Sequence, residues 1–303
     1  MRERLAREKG KRQKVKIRSA LQFLFLPFAL CLFTFAAFPQ RVAVLAPDKT
    51  DASREFASNL QNALNEIQKV SVQDSSLAIA AFNATAPEDP YNMTKEQSKA
   101  IGAAIGCEYF ILVRSATFRR SSSARPEYYE ASAVAFVVSS RTGHLVQWTP
   151  LRSEAAKADR AEKILAASIT PLARKLAAGL PEITKMEMTE PPLADMEDAS
   201  DNTSPAAKNF HAPIPYRRIK PQYTTDAYLH DIAATVDIVI DLNAAGEILR
   251  TEIVRWAGYG LDESAEKAVR SMNWRPAERN GKPLPMRFLV RYNFKKIEKQ
   301  EDN

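Results

Sequence analysis

The sequence predicts an α+β protein with an amino-terminal transmembrane helix, a mixed α/β sheet domain, a proline-rich acidic linker and a small carboxy-terminal ββαβ domain. Three observations carry this prediction. An uncharged apolar segment over residues 19–38 follows a basic tail. Strand and helix patterns alternate over residues 41–180. After the linker at 181–220, a second set of strand and helix patterns occupies residues 221–297.

The basic charge of the chain is confined to its first residues. Residues 1–18 contain nine lysines and arginines but only two glutamates, which equals the whole formal net charge of +7. The remaining residues are balanced, whereas a folded nucleic-acid-binding domain would need its excess of cations on the domain itself. We therefore expect no nucleic-acid partner, and a tail that stays in the cytoplasm by the positive-inside tendency.

Residues 19–38 are predicted to be an uncleaved membrane anchor, because about 20 apolar residues span a bilayer core. Within residues 20–38, only Gln22, Pro27 and Thr34 interrupt the apolar run. A cleaved signal peptide, cut after Ala36, is the alternative. A buried soluble helix is disfavoured since the segment is apolar on all sides. The anchor predicts a single-pass protein of the bacterial inner membrane, with residues after about 40 in the periplasm.

The first half of the 41–180 domain is predicted from short apolar runs and one amphipathic stripe. A helix begins near Ser53, because apolar residues then recur with helical spacing. A second helix begins at Thr94, with Gln97 completing a capping box, and ends at Gly106. The strands are predicted at 41–46, 70–72 and 77–82.

The second half of this domain is predicted to hold three strands and a closing helix. The strands occupy residues 109–118, 129–138 and 144–148, the last two joined by a hairpin. The helix runs through leucines up to residue 180, and Pro171 is expected to kink or divide it. Cys107, one of two cysteines, is interpreted as a small buried residue.

Residues 181–220 are predicted to be a flexible linker, because prolines and acids replace apolar periodicity there. The next strand, 235–242, alternates, and its Asp237 and Asp241 are predicted to face solvent. A second strand at 247–256 and a helix from Leu261, with Asp262 in its first turn, follow. In the last strand, 287–294, the aromatic residues Phe288 and Phe294 are predicted to pack inward.

The carboxy-terminal region resembles the carboxy-terminal domain of the TonB family. The hallmark segment reads NWRPAERNGKP, and the VDIVIDLNAAGEI hairpin and the LDESAEKAV helix precede it. The family's proline-rich entry is represented by Tyr223, but Thr224 replaces its last proline. The resemblance points to these partner-binding candidates: Tyr223, Trp274, Pro276, Ala277, Asn280, Gly281 and Pro283.

The first domain resembles the amino-terminal domain of TolB and related CsgG-type periplasmic domains, through its RVAVLAP strand and its KAIGAAIGCEYFILVRS segment. Together the two resemblances imply an envelope protein that binds protein partners: an outer-membrane TonB-dependent transporter and, if energy is transduced, inner-membrane motor subunits. TonB proper couples to the motor through a Ser-x-x-x-His pattern, whereas here Ser19 is followed four residues later by Phe23. The alternative is a periplasmic adaptor that makes the same contacts without energy transduction.

Catalytic and metal-binding patterns are not evident in the sequence. The three histidines, His144, His211 and His230, have no second ligand at metal-site spacing. Nucleophile-elbow, phosphate-loop and dinucleotide-binding motifs do not occur. We therefore expect no enzymatic activity, no cofactor and no metal. An exported enzyme would instead need a pocket of converging polar groups.

Overall fold

The computed structural model of the chain describes residues 39–189, 196–199 and 209–296. The predicted tail at 1–18 and the predicted anchor at 19–38 lie outside these residues. Within the described ranges no helix is both long enough and apolar enough to cross a bilayer. The described residues belong to one compact unit. Its mixed helices and sheets confirm the α+β class.

A five-stranded mixed sheet organises the first half of the unit. Its order is β2-β1-β3-β4-β5, with β1 parallel to β2 and β3 and with antiparallel pairing from β3 to β5. Five of the six strands predicted for this half are confirmed, although the last of them extends beyond its predicted end. The strands are β1 (Gln40–Leu45), β2 (Val70–Val72), β3 (Tyr109–Arg120), β4 (Tyr128–Ser139) and β5 (Leu145–Ala155).

The helices of this half are α1 (Asp51–Asn65), α2 (Ser75–Thr85), α3 (Lys95–Ile105), α4 (Ala158–Ala167) and α5 (Ile169–Thr189). The capping box of Thr94 with Gln97 and the left-handed end at Gly106 are confirmed. The predicted strand at 77–82 is wrong, because these residues lie in α2. Asp74 caps that helix by accepting a hydrogen bond from the Leu77 amide.

The closing helix is divided in two, but at Ser168 rather than at Pro171. Its second part, α5, continues through Pro181 to Thr189, so residues 181–189 of the predicted linker are helical. The Thr184 hydroxyl is bound to both Gln40 and Tyr109. These tertiary contacts hold the helix in place beyond the proline.

The second half of the unit contains α6 (Thr225–Leu229), α7 (Leu261–Arg270) and eight strands. Its main sheet has the order β13-β8-β9, and α7 packs on its apolar face. Two short strands from the predicted linker, β6 and β7, pair with β11 and β10. The strands are β6 (Phe210–His211), β7 (Ile214–Pro215), β8 (Ala234–Leu242), β9 (Ile248–Arg255), β10 (Trp274–Arg275), β11 (Ala277–Arg279), β12 (Lys282–Leu284) and β13 (Met286–Phe294).

The two halves share one hydrophobic core. One face of the five-stranded sheet is covered by α1, α4 and α5. The other face packs against the second half, where Phe136 of β4 lies 6.2 Å from Trp256 and 5.4 Å from Tyr259 between ring centroids. Gly258 has φ of +69°, and a Cβ built on it would come within 2.6 Å of the Phe136 ring. Only glycine allows this approach of the two halves.

The polar face of the main carboxy-terminal sheet is paired rather than solvated. Asp237 and Asp241 are buried, at 3% and 5% exposure, so the prediction that they face solvent is wrong. Arg287 of β13 makes two hydrogen bonds of 2.7 Å to Asp241. Arg291 and Arg255 both pair with Asp237. Burial of a carboxylate is tolerated here because an arginine on a neighbouring strand compensates its charge.

Other local predictions are confirmed. Phe288 and Phe294 pack inward, at 8% and 7% exposure, and Cys107 is buried. Burial raises the pKa of the Cys107 thiol, which lowers its reactivity. Asp262 lies in the first turn of α7, as expected, and accepts hydrogen bonds from the amides of Ala257 and Gly258.

Candidate functional site

The β13-β8-β9 sheet has two edge strands, and the carboxyl end of β9 is covered by the first half of the chain. The Trp256 amide donates to the Met93 carbonyl over 3.3 Å, and Thr94 forms a β-bridge with Arg255. Asn92 reinforces this junction by donating to the carbonyls of Thr235 and Trp256. This part of the edge is therefore unavailable to another strand.

Side-chain charges strengthen the same junction. Glu252 of β9 is hydrogen-bonded to His144 over 3.1 Å and forms an ion pair with Lys95, both from the first half of the chain. The hydrogen bond with His144, helped by Lys95, lowers the pKa of Glu252 to about 2. Glu252 therefore stays ionised at neutral pH and links the halves through charged hydrogen bonds.

The outer edge of β13 is different. In an antiparallel ladder the backbone groups of alternate residues point toward the partner strand and away from it. The Arg287 amide points away from β8, because it donates to the Glu197 carbonyl over 2.8 Å. The pairing of β13 with β8 continues without a register shift. The backbone groups of Leu289, Arg291 and Asn293 therefore point outward as well.

These three outward positions are open in the part of the chain that the structure describes. Backbone hydrogen bonds from other described segments do not reach Leu289, Arg291 or Asn293. All three residues are exposed. An unpaired row of N–H and C=O groups on a strand edge is a template for an added strand. The edge can thus form main-chain hydrogen bonds with an extended segment of another protein.

The side chains next to this edge are held in fixed positions. The guanidinium groups of Arg287 and Arg291 are each fixed by two hydrogen bonds to a buried aspartate. Leu289 lies between them on the same face, with half of its surface exposed. An incoming strand would meet an apolar side chain flanked by two oriented arginines. Because both arginines are already held by aspartates, they lose little conformational freedom when a partner strand binds.

The predicted hallmark residues lie elsewhere and support the fold. Trp274 is buried and packs edge-on against Phe288 of β13, with ring centroids 5.0 Å apart. Ala277 is fully buried, whereas Pro283 on β12 is exposed and Pro276 is partly buried. Trp274 therefore bears on the β13 edge indirectly, through the position of Phe288.

The other candidates shape turns and termini. Asn280 and Gly281 both have positive φ, 52° and 74°, and connect β11 to β12. These values suit a tight hairpin turn, which explains the Asn-Gly pair. The Tyr223 hydroxyl donates within the segment around α6, to the carbonyls of Ala227 and Ile232. The described contacts do not bring Tyr223 and the hallmark turn to one common site.

The sequence reasoning missed the residues of the open edge. The signal was present in the last predicted strand, where Leu289 is an apolar residue on the face that otherwise carries Arg287, Arg291 and Asn293. Sequence alone does not tell which strand of a sheet lies at its edge, because strand order depends on tertiary pairing. Clusters of residues able to hold a metal ion do not occur among the described residues.

Comparison with known proteins identifies the carboxy-terminal part. Residues 219–295 match the family model described as the Gram-negative bacterial TonB protein C-terminal. The solved structure of the TonB carboxy-terminal domain of Pseudomonas aeruginosa is 19% identical to this chain. The match covers 36% of this chain and 100% of that domain, with a TM-score of 0.26. Lipoprotein GNA1162 of Neisseria meningitidis is 13% identical, with coverage of 46% and 99% and a TM-score of 0.34.

A further solved structure, the hypothetical protein CT253 of Chlamydia trachomatis, is 11% identical, with coverage of 46% and 99% and a TM-score of 0.32. Curated proteins provide no match to the chain. The resemblance of the first half to TolB and CsgG-type domains stays a prediction. For the second half, the family match coincides with the predicted domain, and the chain therefore contains a TonB C-terminal domain at residues 219–295.

Proposed function

We propose that the chain is a TonB-like protein of the Gram-negative envelope that binds an extended segment of an outer-membrane transporter along the outer edge of β13. The anchor predicted at 19–38 holds it in the inner membrane, with the described residues in the periplasm. The protein acts by protein contact and, if it couples to motor subunits through its anchor, transmits energy for transport.

The observation that supports this proposal is the open edge of β13. The backbone groups of Leu289, Arg291 and Asn293 point outward, while the carboxyl end of the opposite edge is covered at Trp256. A strand that adds to this edge gains main-chain hydrogen bonds, and the side chains at the edge determine which sequence fits. The match of residues 219–295 to the TonB C-terminal family supports the class of partner.

The test uses the full chain in a Gram-negative host, with a photo-cross-linking amino acid at Asn293. We expect it to capture an outer-membrane transporter. The same amino acid at Leu77, which is exposed at 73% on α2, is the control position and should not capture it. Equal capture from both positions, or no transporter from Asn293, would refute docking at β13.

Two substitutions at Leu289 then separate backbone from side-chain effects. Leu289→Pro removes one outward N–H without removing a ladder hydrogen bond to β8, and should abolish capture from Asn293. Leu289→Ala keeps the N–H and should retain most of the capture. Thermal unfolding of both variants verifies the fold. Loss of capture in both variants to the same extent would contradict strand addition.

A periplasmic adaptor without energy transduction is the second candidate function. The shared core of the two halves favours it, since Phe136, Trp256 and Tyr259 fix the TonB C-terminal domain on the first sheet rather than leaving it free on a tether. Co-purification of the full chain with inner-membrane motor subunits distinguishes the two functions. Recovery of motor subunits supports energy transduction, and a transporter complex without them supports the adaptor.

A further inference from the structure

A second segment of the chain itself already contacts the β13 edge. The Glu197 carbonyl accepts the outward amide of Arg287 over 2.8 Å. Asp198 pairs with Arg287 in an isolated parallel bridge. Residues 196–199 thus occupy the first outward position of β13, next to the open positions described above.

Side-chain contacts anchor this segment. The Glu197 carboxylate accepts two hydrogen bonds from the Arg279 guanidinium, one of them 3.1 Å long. This pairing lowers the pKa of Glu197, so its charge persists through the periplasmic pH range. Ala199 packs at the border of the shared core. A backbone hydrogen bond, a charged pair and an apolar contact thus all contribute to holding the segment against β13.

The charged pair that helps to hold the segment is partly exposed to solvent. Both Glu197 and Arg279 expose about a third or more of their side chains, at 41% and 34%. An ion pair this exposed shifts an equilibrium by roughly two- to five-fold. The outward amide of Arg287 has a single hydrogen to donate. A strand paired with β13 lies about 4.8 Å from it, so residues 196–199 and a partner strand cannot both pair with Arg287.

From these contacts we infer that residues 196–199 compete intramolecularly with the partner strand for the amino-terminal end of the β13 edge. A partner strand that pairs with Arg287 has to displace Glu197 and Asp198 first. The chain thereby lowers the apparent affinity of its own docking edge until a partner is present. This inference rests on the proposed function, because it assigns a regulator to the same edge.

The test exchanges the charges of the anchoring pair in the full chain. Glu197→Arg and Arg279→Glu each place like charges together, whereas the double variant restores an attractive pair. Two readouts are compared: hydrogen exchange of the peptide that contains the Arg287 amide, and cross-linking of the transporter from Asn293. Each single variant should raise both by roughly two- to five-fold, and the double variant should bring both back to the wild-type level.

Arg275→Glu is the matched control. It makes the same charge change near the same hairpin, where Arg275 pairs with Glu278, and should leave both readouts unchanged. Faster exchange without increased cross-linking would overturn the competition and leave docking at β13 standing. Unchanged exchange in the single variants would also overturn it. Absence of a cross-linked transporter from every chain, including the wild type, would refute the proposed function and the competition together.

Discussion

Asn92 should link the stability of the two halves of the chain. Its side chain is buried and lies just before α3, and this side chain makes three hydrogen bonds to backbone groups of the second half. The side-chain nitrogen donates to the carbonyls of Thr235 and Trp256 over 2.7 Å each. The side-chain oxygen accepts the Thr235 amide over 2.9 Å. Asn92→Ala removes all of these bonds at once.

The expected loss follows from the net value of a buried hydrogen bond. At about 0.5–1.5 kcal/mol for each bond, the substitution should lower the free energy of unfolding by about 2–4 kcal/mol. The unpaired backbone groups of Thr235 and Trp256 place the loss toward the upper part of this range. For a protein with a total stability of about 5–15 kcal/mol, the change is large.

Urea unfolding of the full chain, followed by pulse proteolysis, measures this loss. Since the halves share a core, residues 39–189 and 209–296 should lose protection at the same urea concentration, both before and after the substitution. Asn59→Ala, at an exposed position of α1, is the control and should change stability by less than about 0.5 kcal/mol. Separate transitions for the halves, or equal effects of the two alanine variants, would refute the coupling.

Two more predictions concern the junction of the halves. Gly258→Ala should destabilise the chain more than Gly281→Ala. Both residues have positive φ, which costs about 1–2 kcal/mol for alanine. The Cβ of an alanine at 258 would also clash with the Phe136 ring, whereas one at 281 would meet no atom within 4 Å. Thermal unfolding of the pair would show equal losses if the close approach did not matter. Glu252→Gln should make the free energy of unfolding fall less steeply as the pH decreases. The hydrogen bond with His144 lowers the folded-state pKa of Glu252 to about 2, so its contribution is present above the ordinary pKa of 4.5 and lost as pH falls toward 2. Urea midpoints at pH 5 and pH 2.5 test this, and equal pH dependence of variant and wild type would contradict it.

Periodicity predicted most elements of the fold, but it failed where short apolar runs are ambiguous. Residues 77–82 suit a buried strand or a helix equally well. The structure forms α2 there, since Asp74 caps it and only one side of it, with Ala78 and Phe82, is buried. Leu77 and Ile79 remain exposed, whereas a buried strand would have enclosed both side chains.

Tertiary contacts explain the differences at Pro181 and on β8. Proline usually ends a helix, yet α5 continues because the Thr184 hydroxyl is held by residues of the first sheet. Asp237 and Asp241 alternate with apolar residues, a pattern that normally marks a solvent-facing side. Their burial depends on arginines supplied by neighbouring strands, and such pairing cannot be read from β8 alone.

The candidate site was only partly predictable for a related reason. The hallmark segment identified the domain correctly, and its Asn280 and Gly281 form the turn between β11 and β12. A docking edge, however, is a property of strand order, and the contact of Glu197 with Arg287 joins residues that are distant in sequence. Local patterns carry no information about either.

Docking at β13 is tested most directly by site-resolved hydrogen exchange along this strand, in the full chain alone and in complex with the captured transporter. Binding should protect the outward amides of Leu289 and Arg291 and of the next outward residue, Asn293. The amides of Phe288 and Val290, which already bond to β8, should change little. Protection that does not alternate along β13, or that appears only elsewhere in the chain, would contradict strand addition at this edge.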